Sequence, residues 1–461
     1  MSLDSIIFIS CFLPLALLVH WVVPGKGKNY VLLALSLAFY AFSGLAALGV
    51  LVLSIVFNFV LAQLLGKTRS KALLALGIAG DVALLGFYKY LDFLLTQIGM
   101  ADAVLGLAAP LGISFFTFKC ISFLVDTYRS GEGEKPCFFD FALYVSFFPQ
   151  IAMGPITRYS ELACQLSECR MTADATAAGI RRFVVGLAKR VVISAPLGIL
   201  VDGVFAAALP DARLAWLGAV GYCLQLYFDF SGFIDMANGI AAMFGFRCRE
   251  NFNHPYTAIS IGDFWRRWHM SLSAWFKDYI YIPLGGNRKG SFRAGVNKCI
   301  VFLLCGIWHG ANWTFLLWGI WHGALSLLES LQIIPIKKLT ATRAGRFVGH
   351  IYALLAVCLG FVMFRATDVT QGFSMLGAMF TGFAFTDEAT VLLHSLLTGE
   401  VLVMLVLGGV LSMPVAAWLQ RIPGAKPILE KASYVLTLLL FVLCILRLAA
   451  GNFAPSIYAQ F

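Results

Sequence analysis

The chain has 461 residues, of which 60% are hydrophobic and only 13% charged, with a mean hydropathy of +0.84. A soluble domain carries roughly 25% charged residues, so this composition excludes a soluble protein and specifies an integral membrane one. The net charge of +10 does not point to nucleic acid, because the basic residues sit in short clusters between apolar runs, as positive-inside loops do.

About twenty apolar residues make a membrane span. In chain order the candidate spans are 6–23, 30–42, 45–65, 72–94, 103–118, 138–153, 183–204 and 215–230, then 299–328, 348–364, 401–419 and 434–450. Several are short, and 299–328 is long enough to be two helices meeting at a bend, so the expected architecture is all-α with about eleven to thirteen transmembrane and re-entrant helices. The first run lacks a basic lead and a small-residue cleavage site, so it reads as a retained helix. Lys26 and Lys28 follow the first run, and Lys67, Arg69 and Lys71 follow the third, while the turn at Ser43 and Gly44 carries no charge. Alternation places those basic loops in the cytoplasm and the N-terminus outside. No repeat or low-complexity linker divides the chain, so residues 1–461 are expected to form one domain. The eleven cysteines include no CxxC pair and no spacing typical of a metal site, and those within apolar runs read as small packing residues. Cys164 and Cys169 flank a polar segment.

The break in the apolar pattern is 247–298, which mixes charge and aromatics too densely for a span. Within it, 261–279 has helical periodicity that puts Trp265, His269, Leu272 and Phe276 on one face and pairs Asp263 with Arg267. A basic, aromatic, amphipathic helix belongs at a membrane interface, and Pro283 with Gly285 and Gly286 ends it by turn chemistry. The following GGNRKG, at 285–290, lacks the strand-loop-helix context of a phosphate-binding loop. Its Arg288 and Lys289 suit the phosphates of a nucleotide-bearing donor and suit a cytoplasmic loop equally well.

Two histidines lie in the apolar run 299–328, His309 in WHGANW and His322 in WGIWHG. An ionisable residue at membrane depth is costly and marks a functional site by default, and imidazole is the side chain best suited to take a proton near neutral pH. On a straight helix the two would stand about 220° and roughly 20 Å apart, so at most one is the central base. His309 would share its face with Asn312 and Trp313, a polar neighbour and an aromatic wall. His322 lies near Gly319 and Gly323, which suits close helix packing. An interhelical hydrogen bond is the structural alternative for either. His269 reads equally as an aromatic-belt residue or as a group that orients a substrate. Asp229, Asp235, Asp278 and Asp126 read as structural, paired with Arg or Lys or accepting backbone hydrogen bonds. Asp229 and Asp235 fall about 240° apart on a helix and do not form a catalytic pair. No GxSxG occurs, so acyl transfer here would use a histidine base and an external hydroxyl.

These residues fall in a recognisable set of motifs. They are PLGISFFTFKCISFLVDTYRS (110–130), FFPQIAMGPITRY (147–159), LQLYFDFSGFIDMANGIAAMFGF (224–246), ENFNHPY (250–256), DFWRRWHMSLSAWFKDYIYIPLGGNRKG (263–290), GIWHGANWTFLLWGIWHG (306–323), FVMFRA (361–366) and the closing NFAPSIYAQF. Together they resemble the membrane-bound O-acyltransferase superfamily, in its bacterial alginate O-acetyltransferase-like branch, over nearly the whole chain with a motif core at about 110–330.

The resemblance implies a ring of helices around a central funnel or tunnel. It implies that the family histidine falls on His309 and the second polar position on His269. It further implies transfer of an acyl group, usually acetyl, from a cytoplasmic thioester such as acetyl-coenzyme A toward an extracytoplasmic polysaccharide. A periplasmic acetyltransferase partner would complete the transfer, and the chain would sit in a bacterial inner membrane with its N-terminus in the periplasm. No tightly bound cofactor or metal is implied. Arg266, Arg267, Arg288, Lys289, Asn312 and Trp313 are the residues expected to hold the donor. The related branch that moves D-alanine onto teichoic acid is the alternative enzyme, and a transporter or a polysaccharide-export scaffold is the alternative class. Cysteines placed in the 261–279 segment are expected to react with a membrane-impermeant maleimide from the cytoplasmic side. Reaction from the periplasmic side alone would contradict an interfacial helix there.

Overall fold

The computed structural model describes residues 1–25, 27–130, 137–166, 171–208 and 210–451. Lys26, Cys169 and the closing NFAPSIYAQF lie outside these. The described residues form helices and turns with no strand. Among the described residues six helices are long and apolar enough to cross a membrane: Leu45–Thr68, Lys71–Lys89, Ala173–Phe205, Gly290–His309, Arg343–Arg365 and Ala425–Ala449. Asp387–Leu396 and Gly399–Leu411 form a further apolar pair, bent by 71°. The chain is an all-α integral membrane protein.

It divides into two compact units. The first comprises Met1–Val184 and Phe233–Arg249. Here Leu45–Thr68 and Lys71–Lys89 pack against Ile113–Ser130. The expected span at 103–118 does not form, because Pro110 and the left-handed Gly112 (φ +69°) delay the helix to Ile113. Some polar groups in this unit are bonded across helices. The Lys119 ammonium donates to the Tyr144 carbonyl (2.8 Å) and to Gln150 Oε1 (3.1 Å), and Arg182 pairs with Asp235 at 2.9 Å.

The second unit comprises Val185–Gly232 and Glu250–Phe461. In it Arg190 pairs with Asp229 at 3.0 Å, both side chains being buried. Asp229, which is buried, and Asp235, which is partly exposed, are therefore each matched to an arginine. The centre of this unit is a hairpin of two antiparallel helices, Gly290–His309 and Trp313–Ser330. The chain turns between them at 310–312, where Gly310 is extended (φ 175°) and Asn312 caps the second helix by accepting from Thr314 N (3.1 Å). Two glycines set how closely the helices approach. A Cβ on Gly306 would stand 2.5 Å from the Phe315 carbonyl oxygen, and one on Gly319 would stand 2.5 Å from that of Phe302. Both obstacles are backbone, so neither can move aside.

Overpacking of this kind typically costs about 1–3 kcal/mol. Gly306→Val is expected to lower thermal stability in detergent by that amount. Gly49→Ala, whose added Cβ meets nothing within 4 Å, should be close to neutral in the same assay.

Candidate active site

The turn at 310–312 decides the geometry of the histidines. His309 is the last residue of the first hairpin helix and is 5% exposed. Its ring is enclosed by Trp308 (4.9 Å between centroids), Phe364 (4.9 Å), Trp318 (5.1 Å) and Phe315 (6.3 Å). Trp318 lies on the second hairpin helix and Phe364 on Arg343–Arg365. The walls are aromatic on all these sides, so the imidazole sits in surroundings of low polarity.

His322 is not 20 Å from His309. Because the chain reverses, His309 packs at 5.1 Å against the Trp318 indole that His322 also contacts at 5.1 Å one turn along the second helix, and the two imidazoles therefore lie no farther apart than twice that distance. The straight-helix geometry fails because 310–312 is not helical. Trp265 Nε1 donates to His322 Nδ1 (3.3 Å), which leaves the proton of the neutral ring on Nε2. That nitrogen faces Gly360, where an added Cβ would stand 3.0 Å away. The ring is fully buried and serves as the interhelical hydrogen-bonded group that its neighbouring glycines suggested.

The predicted continuous helix over 261–279 is also corrected. The chain forms Ile261–Trp265, breaks, and resumes as Met270–Phe276, with His269 at the break in the left-handed region (φ 44°, ψ 52°). The single shared face of Trp265, His269, Leu272 and Phe276 is thereby lost. The cause is the buried segment around Asn251. Its carbonyl accepts from Met270 N (3.0 Å), its side chain accepts from Ser271 N (2.8 Å), and Asn253 N donates to the Arg267 carbonyl (2.9 Å). These bonds satisfy backbone groups that a continuous helix would have satisfied internally. The Asp263–Arg267 pair persists at 3.2 Å.

The break turns His269 inward. It is 1% exposed, lies edge-on to Phe230 (4.7 Å) and reaches Trp308 (6.3 Å). Neither ring nitrogen has a hydrogen-bond partner among the described residues. A fully buried imidazole with no bond to either nitrogen is expensive as structure and calls for explanation by function. His269 and His309 thus flank one indole, that of Trp308, within one aromatic cluster.

The residues expected to hold a donor have different surroundings. Asn312 and Trp313 leave the face of His309, since the helix ends before them. The Asn312 amide is engaged by Thr314 N and by the Thr367 carbonyl, to which it donates (2.8 Å), and Trp313 is half-exposed. Arg288 and Lys289 are exposed in the turn before Gly290. Arg266 lines a cavity of about 270 Å³ that includes none of the other five and neither His309 nor His269. The sequence reading missed Trp308, Trp318, Phe364 and Phe230 as walls and Asn251 as the cause of the break. Their motifs carried them, but helical periodicity alone does not tell a cage residue from core packing.

Burial pushes the His269 imidazole down from its ordinary 6.5 to about 3, so the ring is neutral at physiological pH. The stability tied to the neutral ring is complete above pH 6.5. It is lost as pH falls toward 3, because only the unfolded chain takes up the proton in that window. The melting temperature should therefore decline with acidification over this interval, and the decline should be shallower in His269→Phe. Parallel curves for the two proteins would contradict a buried neutral ring.

Residues 29–369 match the model of the membrane-bound O-acyltransferase family. A probable alginate O-acetylase AlgI of Azotobacter vinelandii is 36% identical, with all of both chains covered. The peptidoglycan O-acetyltransferase of Helicobacter pylori is 39% identical over 67% of this chain and 66% of its own. The teichoic acid D-alanyltransferase of Bacillus subtilis is 31% identical over 43% of this chain and 53% of its own. The aromatic-caged His309 and the inward-turned His269 both lie on elements within the matched region, and the chain belongs to the membrane-bound O-acyltransferase family.

Proposed function

We propose that this O-acyltransferase moves an acetyl group from a cytoplasmic thioester, such as acetyl-coenzyme A, to hydroxyls of an extracytoplasmic polysaccharide, with a periplasmic acetyltransferase as partner. The observation that carries the reading is the position of His309, a proton acceptor walled by aromatics at the end of a membrane helix, in a chain similar along its whole length to an alginate O-acetylase. The D-alanyl alternative is less well supported, since the teichoic acid enzyme matches under half of this chain. The setting is a bacterial inner membrane with the N-terminus periplasmic.

In the proposed reaction the acceptor hydroxyl oxygen attacks the thioester carbonyl carbon. His309 takes the hydroxyl proton as the C–O bond forms, the C–S bond breaks, and the proton passes to the departing thiolate. For this His309 must line a tunnel open to both substrates. A positioned base contributes about 10²–10⁴-fold, and the aromatic cage leaves few substitutes for it. His269, with both nitrogens unpartnered, supplies a donor that becomes satisfied when substrate is present, orienting the acyl group or stabilising charge at its carbonyl oxygen. Arg267, Arg288 and Lys289 supply positive charge to the donor phosphates.

The test is acetyl transfer by His309→Ala, His269→Ala and His322→Ala proteins, each checked for normal insertion. Near-complete loss at 309, substantial loss at 269 and partial retention at 322 are expected. Full activity of His309→Ala, or loss confined to His322→Ala, would refute the assignment.

A further inference from the structure

The cavity beside Arg266 has two chemically distinct kinds of lining. Trp265, Leu272, Phe276 and Phe302 supply an apolar floor in the sense of uncharged lining, while Lys277, Lys298 and Arg266, which also pairs with Asp263 at 3.4 Å, supply positive charge. The only carboxylate in its wall, Glu329, is already committed. Its Oε1 accepts from Ile261 N (2.7 Å) and the Tyr352 hydroxyl (3.2 Å), and its Oε2 accepts from Gly262 N (3.0 Å). Lys298 Nζ donates to Ser330 Oγ (2.8 Å), a neutral partner that leaves two of its protons to give. The floor continues through Phe302 and Cys305 along Gly290–His309, a helix able to cross a membrane, and Lys298 lies nearer the start of that helix. Along this helix the charge of Lys298 thus precedes the hydrocarbon-like surface of Phe302 and Cys305.

A soluble anion would have no use for the floor, and a neutral lipid none for the cations. A whole nucleotide-bearing donor is too large: sites for drug-sized ligands run about 300–1,000 Å³, against about 270 Å³ here. A phosphodiester headgroup followed by hydrocarbon satisfies both kinds of lining at once, and basic pockets between membrane helices at the cytoplasmic face take anionic lipids. We infer that this cavity binds an anionic phospholipid, with its phosphate among Arg266, Lys277 and Lys298 and its first methylenes on Trp265, Leu272, Phe276 and Phe302. Trp265 is also the residue that holds His322 through Nε1, so the lipid braces one wall of the histidine cluster. The inference requires a bilayer around the chain and is independent of the acyl acceptor.

The experiment uses the full chain in nanodiscs of equal phosphatidylglycerol and phosphatidylcholine, extracted into detergent, with retained lipid counted by native mass spectrometry. Several-fold enrichment of phosphatidylglycerol is expected. It should be lost in the triple variant Arg266→Gln, Lys277→Gln, Lys298→Gln and also in Ser273→Trp, which fills the cavity without changing charge. Equal retention of both lipids by the unaltered protein would overturn the inference. So would loss in the charge variant alone, which indicates diffuse surface attraction. Displacement of the lipid by acetyl-coenzyme A would assign the cavity to the donor instead. Should a variant misfold, a photoreactive phosphatidylglycerol on the unaltered protein decides the matter. Crosslinks to peptides holding Trp265, Phe276 or Phe302 support the site, and their absence refutes it.

Discussion

The backbone contact between the two hairpin helices is the constraint on which the rest of the site depends. Gly306 and Gly319 let each helix rest directly on a carbonyl of the other, and the three-residue turn at 310–312 reverses the chain between them. In a bilayer, helices gain little from burying apolar surface against one another, since lipid is equally apolar. Close van der Waals contact at small residues takes over that role. Here the contact also brings Trp318 back against His309. A side chain at either glycine would push the second helix outward and open the aromatic wall around the imidazole.

A second constraint acts on the other histidine. Asn251 and Asn253 bond to backbone groups on either side of His269, so the helix over 261–279 is interrupted where an ionisable ring must turn inward. The left-handed conformation that results is costly for a non-glycine residue, and strained positions of this kind cluster at functional sites. Two unrelated devices, a glycine seam and an asparagine clamp, thus deliver two imidazoles to the neighbourhood of the Trp308 indole. Neither device involves a charge. The ionic contacts of the same unit, such as Arg190–Asp229, anchor helices instead.

Much of this was legible in the sequence because it rests on composition and local pattern. Hydropathy identified the membrane class, the motif resemblance named the family, and the lone polar character of His309 singled it out. Pairing of Asp229 and Asp235 with arginines followed from the cost of buried charge. What failed were arguments that extended a helix through a break. The separation of His309 from His322, the placing of Asn312 and Trp313 beside His309, and the single face of 261–279 all assumed continuity. Gly310 and Asn312 carried a local signal of a turn. The break at His269 carried none, since its cause is Asn251, eighteen residues earlier and joined to it only in the folded chain. Likewise the cavity cations Lys277 and Lys298 belong to different elements, and no spacing rule relates them to Arg266.

The central claim is that His309 removes the proton from the acceptor as the acyl group is transferred. The most direct measurement is a structure of the protein in nanodiscs with a non-transferable thioether analogue of the donor. The account predicts the acyl carbonyl carbon beside the aromatic cage, with room for one hydroxyl oxygen within hydrogen-bonding distance, about 2.6–3.2 Å, of a His309 ring nitrogen. An acyl group seated elsewhere, with His309 still sealed behind Trp308, Trp318 and Phe364, would contradict it.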